Sequence, residues 1–219
     1  MNLIGFDTAT AASSACVLRA DGEAFEVEPP PEALERRPAH AAELMPAVQR
    51  AMDESGLAFG DLDAIAVGRG PGSYTGLRIG VATARALAQA LGVPLRPVSS
   101  LAALAAGIEA PLRLALIDAK RGELFAALYE DGEARWPPFV ERPEAVAERV
   151  RAESLTPLAA GDGSLRFAQL LEAAGIEVAP GGSRLHVVRA LHLCRLAADT
   201  PEAAPETVLP DYLRPPDAQ

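Results

Sequence analysis

Short apolar runs bounded by turn residues open the chain, a pattern that predicts β-strands. Leu3 to Asp7 forms the first run and Ala15 to Arg19 the second, with the small residues from Thr8 to Ser14 as the turn between them. The pair Asp21-Gly22 is a hairpin signal that leads into a third run, Glu23 to Glu28. We therefore predict that three strands joined by turns begin the fold.

A helical pattern follows, after a proline-punctuated loop. Between Ala39 and Ser55, the apolar residues Leu44, Val48 and Met52 recur at the spacing of one helix face. Pro46 falls inside this pattern and is expected to kink the helix or to mark its first turns. This segment is the first predicted helix.

Glycines crowd the loop between the next predicted strand, Leu62 to Val67, and the next predicted helix, Leu77 to Leu91. Such a loop can approach an anion or a partner, or it can simply set how the helix approaches the strand. It matches neither common nucleotide fingerprint. The chain's one lysine is Lys120, and Thr75 stands where a dinucleotide loop needs Gly or Ala. Both alternatives stay open at this point.

The second half of the chain repeats this plan in reduced form. A strand pair around a tight turn is again followed by helices and a further strand. Prolines at 201, 205, 210, 215 and 216 predict an extended C-terminal tail. The remaining predicted elements are strands at 96–99, 112–118, 123–129 and 158–163, and helices at 101–106, 143–152, 165–174 and 185–198.

Composition narrows the class of protein. The 219 residues are 49% hydrophobic and carry a formal net charge of −10, so the chain is expected to fold into one or two lobes and to bind nucleic acid poorly by itself. Cys16 and Cys194 form no C-x-x-C pair and are expected to be buried free thiols. The N-terminus lacks the basic region of a signal peptide, and no apolar run is long enough for a membrane helix. We expect a cytoplasmic protein.

The histidines do not form a metal pair. His186 and His192 are six residues apart, and His40 has no second histidine nearby, so we expect no metal site. No Gly-x-Ser-x-Gly elbow exists around Ser73 to support a peptidase. Asp7 is interpreted either as an acid facing a phosphate site or as a cap of the hairpin turn.

Six motifs follow one another along the chain, and the most specific is the glycine loop from Gly68 to Gly80. The others are Ile4-Gly5-Phe6-Asp7-Thr8-Ala9-Thr10, His40-Ala41-Ala42-Glu43-Leu44-Met45-Pro46, Ile117-Asp118-Ala119-Lys120-Arg121-Gly122-Glu123, Gly161-Asp162-Gly163 and Pro210-Asp211-Tyr212-Leu213-Arg214. Together they resemble the TsaB/YeaZ family, which acts in threonylcarbamoyladenosine synthesis on tRNA.

The resemblance implies an α/β fold of the actin-like ATPase class (ASKHA, ribonuclease H-like). It would have an N-terminal lobe at 1–100 and a smaller C-terminal lobe at 101–219 that ends in the extended tail. Whether the final helix packs on the first lobe or the second is left open.

The resemblance also implies a function. The chain would be a non-catalytic subunit that binds and activates a TsaD-type enzyme, which transfers a threonylcarbamoyl group to the tRNA adenosine beside the anticodon. The ATPase TsaE would be a further partner, tRNA would be met only through the complex, and the isolated chain would form a homodimer.

Candidate site residues follow from the same resemblance. Asp7, Thr8, Gly70 and Gly72 are the candidate cofactor-binding residues; the isolated chain would bind no nucleotide, and ATP or ADP with Mg²⁺ at the partner interface is left open. The turn lacks the glycine that would let its backbone close on a phosphate, which argues against independent hydrolysis. The candidate partner interface lies on the two long helices, at His40, Leu44, Leu77, Arg78, Gly80, Val81, Ala84 and Arg85.

Two other functions are carried as alternatives. A self-sufficient ATPase or small-molecule kinase of the same fold would need an acid in each lobe, and only Asp7 and Asp118 qualify. A peptidase is less favoured, because it would need a metal pair or a catalytic triad.

Overall fold

Two five-stranded sheets form the framework of the chain, of which the computed structural model describes residues 1–213. The first sheet contains β1 (Leu3–Asp7), β2 (Ser14–Leu18), β3 (Ala24–Val27), β4 (Ala64–Gly68) and β5 (Leu95–Val98). The second contains β6 (Leu112–Lys120), β7 (Glu123–Glu130), β8 (Glu133–Glu141), β9 (Leu158–Ala160) and β10 (Glu177–Val178).

The two sheets share one topology. The strand order is β3-β2-β1-β4-β5 in the first and β8-β7-β6-β9-β10 in the second, read in the same direction. In each, three antiparallel strands are extended by two parallel strands. The predicted repetition between halves is therefore present at the level of topology, and the short β9 and β10 make the second copy the smaller one.

Within residues 1–213, seven helices complete a five-layer arrangement. α1 and α2 cover the outer face of the first sheet, α4 and α6 cover the outer face of the second, and α3 and α7 lie between the sheets. Alternate side chains of each strand therefore enter different cores, as the two-residue period requires. The helices are α1 (His40–Ser55), α2 (Tyr74–Leu91), α3 (Ser100–Ala106), α4 (Pro143–Ala152), α5 (Asp162–Arg166), α6 (Ala168–Ala173) and α7 (Ala190–Ala197).

α7 comes from the C-terminal half but packs on β1 and β2 of the first sheet, which answers the question that the sequence left open. Gly5 of β1 makes this possible, because a Cβ there would overlap the Cys194 sulfur. Cys16 of β2 is also close, since the Cys194 thiol donates to its carbonyl at 3.4 Å. The two cysteines, far apart in sequence, are thus neighbours in the core.

Polar contacts hold α7 at both ends. At its start, the Glu26 carboxylate accepts from the Leu191 N–H at 3.0 Å and pairs with the Arg189 guanidinium. At its end, the Arg96 guanidinium donates to the carbonyls of Ala197, Ala198 and Thr200 at 2.8–3.0 Å. These carbonyls would otherwise lack partners, because the last turn of a helix has no intrahelical donors.

The structure differs from the predicted elements in three respects. First, it contains the strand β8, which the pattern does not predict because Pro137 and Pro138 are untypical of strands; β8 lies at the edge of the sheet, where proline is tolerated. α2 begins at Tyr74 and not at Leu77, since the Ser73 hydroxyl caps it by accepting from the Gly76 N–H at 3.3 Å.

The third correction concerns the two last predicted helices. The segment 165–174 is split between α5 and α6, and 185–198 contains a 3-10 turn, Arg184–His186, before α7. The buried His186 explains the second difference. Its ring contacts the Ala179 carbonyl at 3.1 Å and the Gly161 N–H at 3.2 Å, which holds this turn against β9 and outside the helix.

The tail runs without a long helix as far as Leu213, with one 3-10 turn at Pro205–Thr207 and a bridge from Ala203 to Leu95. Arg214 and the prolines at 215 and 216 lie outside the described residues. Within residues 1–213, none of the helices has the length and apolar character needed to cross a membrane.

Replacing Arg96 tests how much its contacts stabilise the fold. Arg96→Met keeps the apolar stem but removes the donors to three carbonyls and the pair with Glu202 at 2.8 Å. We expect the free energy of unfolding, measured with urea, to fall by about 2–4 kcal/mol. Arg50→Met on the exposed side of α1 is the control, expected to change it by less than about 0.5 kcal/mol. Equal effects of the two variants would contradict this role.

Candidate functional site

A cleft of about 700 Å³ opens between the two lobes and is the candidate site. It lies where the turn after β1, the start of α2 and the turn after β6 face one another. The C-terminal segment 211–213 closes one side of it. Among the lining residues are Ala9, Thr10, Arg36, Gly72, Tyr74, Asp118, Lys120, Arg121, Asp162 and Tyr212.

Glycines four residues apart bring α2 against the turn of the first hairpin. A Cβ at Gly68 would overlap the Asp7 carboxylate, and one at Gly72 would overlap the Ala9 carbonyl. A Cβ at Gly76 would overlap the Thr8 carbonyl, and one at Gly80 would overlap the Thr8 hydroxyl. The glycine loop and the first turns of α2 therefore serve the internal packing of the first lobe.

Hydrogen bonds brace the same loop. The Ser73 N–H donates to the Ala9 carbonyl at 2.7 Å, and the Ser100 N–H donates to the Gly70 carbonyl at 2.9 Å. The Ser100 hydroxyl in turn accepts from the Gly70 N–H at 3.2 Å. Of the two interpretations of the glycine loop, the geometry favours the one in which it sets the approach of helix to strand.

Asp7 lies beneath the cleft rather than in it. One carboxylate oxygen accepts from the Ala9 N–H at 2.7 Å and the other from the Ser100 hydroxyl at 2.6 Å. The side chain is buried, and burial raises its pKa to about 6 despite these two hydrogen bonds. Asp7 thus acts as the cap of the hairpin turn, which was one of its two predicted roles.

Three of the four candidate cofactor-binding residues lie outside the lining of the cleft, so their contact with a nucleotide stays a prediction that the cleft does not support. Asp7, Thr8 and Gly70 are buried and do not line the cleft, because α2 and α3 close over them. The Thr8 hydroxyl donates to the Gly76 carbonyl at 2.8 Å, inside the lobe. Gly72 does line the cleft, as does Thr10, whose hydroxyl has no hydrogen-bond partner among residues 1–213.

The second hairpin turn differs in its electrostatics. Asp118 caps it by accepting from the Lys120 N–H at 2.8 Å, and the same side chain pairs with the Lys120 amine and the Arg166 guanidinium, both at 2.7 Å. Burial pushes the pKa of Asp118 up, but the hydrogen bonds from Lys120 and Arg166 outweigh it and the pKa lies below its usual value. Asp162 lies beside it, accepts from the Asp118 N–H at 3.0 Å, and has a pKa raised by burial.

These residues do not fit the magnesium–nucleotide site that an actin-like ATPase would need. The acid of the first turn is enclosed, and the acid of the second is neutralised by two cations. Within the described part of the chain, no group of three His, Cys, Asp or Glu residues could hold a metal ion. The cleft therefore supplies no observation in favour of the ATPase alternative.

Histidine geometry gives no support to the peptidase alternative. His40 is buried with its Nδ1 2.8 Å from the Ser13 hydroxyl, and burial lowers its pKa. His186 is buried against backbone carbonyls in the other half. Within residues 1–213, the side-chain hydrogen bonds of these two histidines go to the serines Ser13 and Ser164 and not to a carboxylate.

Most of the predicted partner-interface residues face inward. Leu44, Val81 and Ala84 pack into the core under α1 and α2. His40, Leu77 and Gly80 are also buried, the last against Thr8. The prediction chose the apolar face of each helix, which is the face that the sheet covers. Of the predicted set, Arg78 is exposed and Arg85 is half-buried.

Several residues that surround the cleft were not predicted as site residues. Ser100 reaches Asp7, Arg166 reaches Asp118, and Tyr212 stacks on Tyr74 with ring centroids 5.0 Å apart. The motif ending at residue 214 pointed to the tail containing Tyr212. Ser100 and Arg166 carry no local signal, since contacts across 93 and 48 residues depend on the fold.

Comparisons with known proteins agree on one family. A family model described as "TsaD: tRNA N6-adenosine threonylcarbamoyltransferase" matches residues 31–203. The tRNA threonylcarbamoyladenosine biosynthesis protein TsaB of Escherichia coli (strain K12) is 32% identical over 228 residues, which cover 98% of this chain and 95% of that protein. The protein of the same name from Bacillus subtilis (strain 168) is 32% identical, over 80% of each chain.

Solved structures agree with this result. YeaZ from Pseudomonas aeruginosa superposes with a TM-score of 0.77 at 31% identity, covering 96% of this chain and 100% of that one. An uncharacterized Pseudomonas aeruginosa protein with similarity to peptidase YEAZ superposes with a TM-score of 0.82 at 32% identity, covering 97% and 99%. With the duplicated strand order, these similarities confirm the predicted α/β fold of two lobes.

Filling the space at Gly76 tests the packing of α2 on the first turn. The methyl group of Gly76→Ala would meet the rigid Thr8 backbone, so we expect the free energy of unfolding to fall by about 1–3 kcal/mol, although alanine is the better helix former. Gly60→Ala is the control, because nothing lies within 4 Å of a Cβ there. An unchanged urea midpoint for Gly76→Ala would show that the contact is not close.

Asp7→Asn tests the enclosed carboxyl through the pH dependence of stability. Because burial raises the pKa of Asp7 from 3.8 to about 6, its contribution to stability is present below pH 3.8 and is lost as the pH rises through 6. Asparagine imitates the protonated form. We expect the free energy of unfolding of the variant, relative to the parent, to rise by about 2 kcal/mol between pH 4 and 7.5. The exposed Asp53→Asn is the control, and a pH-independent difference for Asp7→Asn would contradict the enclosure.

Proposed function

The chain belongs to the TsaB/YeaZ family, and on that premise we propose that it is the non-catalytic subunit that binds and activates a TsaD-type enzyme. The family acts in tRNA threonylcarbamoyladenosine biosynthesis. The proposed reaction of the complex is transfer of a threonylcarbamoyl group to the tRNA adenosine beside the anticodon, performed by the partner.

The observation that carries this proposal is the use of the glycine loop. In this chain the residues that would approach a phosphate instead pack against the turn of the first hairpin, and Asp7 is enclosed beneath it. A chain that has the fold of a catalytic relative, but in which these residues serve internal packing, is suited to a structural role in a complex. The match of the TsaD family model supports such a relationship between the two subunits.

We propose that the partner meets the outward side of α1 and α2, not the buried side that the sequence suggested. This outward face combines small residues with one exposed methionine, Met45, which is 40% exposed. Small side chains allow another helix to approach closely. The face consists of Ala41, Ala42 and Met45 on α1, and Arg78, Ala82 and Ala86 on α2.

The remaining partners are proposed on the same basis. The isolated chain would use the same face to form a homodimer, which the enzyme subunit would replace. TsaE would join the assembled complex, and ATP or ADP with Mg²⁺ would lie at the interface with the partner. Because the net charge of this chain is −10, we propose that the partner makes most of the contacts with tRNA. The complex would act in the cytoplasm.

Calorimetric titration tests the subunit role directly. The purified chain is titrated with ATP and Mg²⁺, first alone and then mixed with the TsaD-type protein of its own organism. We expect nucleotide binding only in the mixture. Tight binding and turnover by the chain alone would overturn the proposal in favour of an ATPase.

A charge on the outward face tests the proposed interface. Ala86→Glu would bury an unpaired carboxylate against the partner, so we expect affinity for the TsaD-type protein to fall about tenfold or more, measured by titration. The homodimer should dissociate in sedimentation at the same time. Ala173→Glu, an exposed alanine on α6, is the matched control. Equal affinities for both variants, with unchanged melting, would place the interface elsewhere.

A further inference from the structure

A second pocket, of about 380 Å³, opens where the end of α3 meets α7. It lies at the opposite end of α3 from the Asp7 network, because Ser100 begins that helix and Gly107 follows it. The residues that give it its character are Gly107, Glu109, Arg184, Arg189, His192 and Arg195. None of them belongs to the cleft or to the proposed partner face.

Three guanidinium groups line this pocket against one carboxylate, that of Glu109, in a chain whose net charge is −10. Two of the three are held in place from behind. Arg189 pairs with Glu26, and Arg184 pairs with Glu28 at 3.1 Å. Fixed guanidinium groups bind an anion with less loss of side-chain entropy than free ones.

Arg195 differs from Arg184 and Arg189, because neither Glu26 nor Glu28 pairs with it. It is exposed, it lines the pocket, and it has no ion-pair partner within residues 1–213. Because this guanidinium is exposed, the desolvation free energy that it loses on binding an oxyanion is small. Its planar N–H groups can donate two parallel hydrogen bonds to that oxyanion.

The pKa of His192 reflects both its burial and the positive charges around the pocket. Burial, and after it the charges of Arg189, Arg195 and Arg184 in that order of importance, together lower its pKa to about 4. The ring is therefore neutral at pH 7, with one N–H available as a donor. Gly107 leaves room beside it, since a Cβ there would lie 3.2 Å from Nε2.

We propose that this pocket binds a phosphate group, held by Arg195 and Arg184 with the imidazole of His192 as a further donor. A tetrahedral oxyanion matches the guanidinium geometry and would pair with the charge of Arg195, which no ion pair offsets within residues 1–213. The phosphate could belong to an RNA backbone or to a small phosphorylated molecule, since both present the same group. This proposal does not depend on the proposed function.

Nuclear magnetic resonance with pyrophosphate as the probe tests the site at constant ionic strength. We expect saturable shifts at the His192 ring, the Arg195 Nε–H and the Gly107 amide. Bound phosphate should also raise the apparent pKa of His192 by about 1, because it offsets the arginines. Shifts that do not saturate, or that potassium chloride reproduces, would overturn the proposal.

Variants make the test specific to these residues. Arg195→Gln should weaken pyrophosphate binding about tenfold or more while leaving the melting temperature unchanged. The matched control is Arg151→Gln, which removes an exposed arginine of α4. If both variants bind as the parent does, or if both lose affinity equally, the pocket is not the site.

Competition identifies where the phosphate comes from. Unfractionated tRNA that displaces pyrophosphate from the parent, and that itself binds Arg195→Gln more weakly than the parent, would assign the site to an RNA backbone. Pyrophosphate that remains bound at saturating tRNA would assign it to a small phosphorylated ligand. Both outcomes support a phosphate site, and an absence of pyrophosphate binding to the parent overturns it.

Discussion

The close approach of α2 to the turn of the first hairpin is the contact on which the first lobe depends. Gly68, Gly72, Gly76 and Gly80 each remove a side chain that would overlap this turn. With them in place, the Thr8 hydroxyl reaches the backbone of α2 and the Ser73 N–H reaches the Ala9 carbonyl. The turn is therefore enclosed by the start of α2.

A second constraint joins the two halves of the chain. α7 enters the first lobe at Gly5, and Glu26 and Arg96 satisfy the backbone groups at its two ends. Because α3 and α7 share one apolar core with both sheets, relative movement of the lobes would disturb that core. The chain is consequently better described as two sheets around a common layer than as two independent domains.

The duplicated topology makes the differences between the halves informative. Both hairpin turns are capped by an aspartate that accepts from the N–H two residues later, Asp7 from Ala9 and Asp118 from Lys120. One is enclosed and has a raised pKa, whereas the other is held by Lys120 and Arg166 and has a lowered pKa. The same turn chemistry has thus been retained in two different electrostatic settings, and neither setting leaves a free acid in the cleft. The outward faces of α1 and α2 are the surfaces that we propose for a partner.

Local patterns were sufficient for much of the fold. Apolar runs, turn residues and helix stops placed most strands and helices to within a few residues, because these signals act over short stretches of chain. The ordered motifs identified the family.

Local patterns failed where contacts between distant parts of the chain decide the outcome. Leu44, Leu77, Val81 and Ala84 look like an interface in the sequence, but a helix pattern marks an apolar face without saying what covers it. In the same way the sequence by itself determined that an acid and a glycine loop lie near the first turn. Only the tertiary structure decided that Asp7 is enclosed and that the glycines serve packing, because burial depends on which elements meet across the fold.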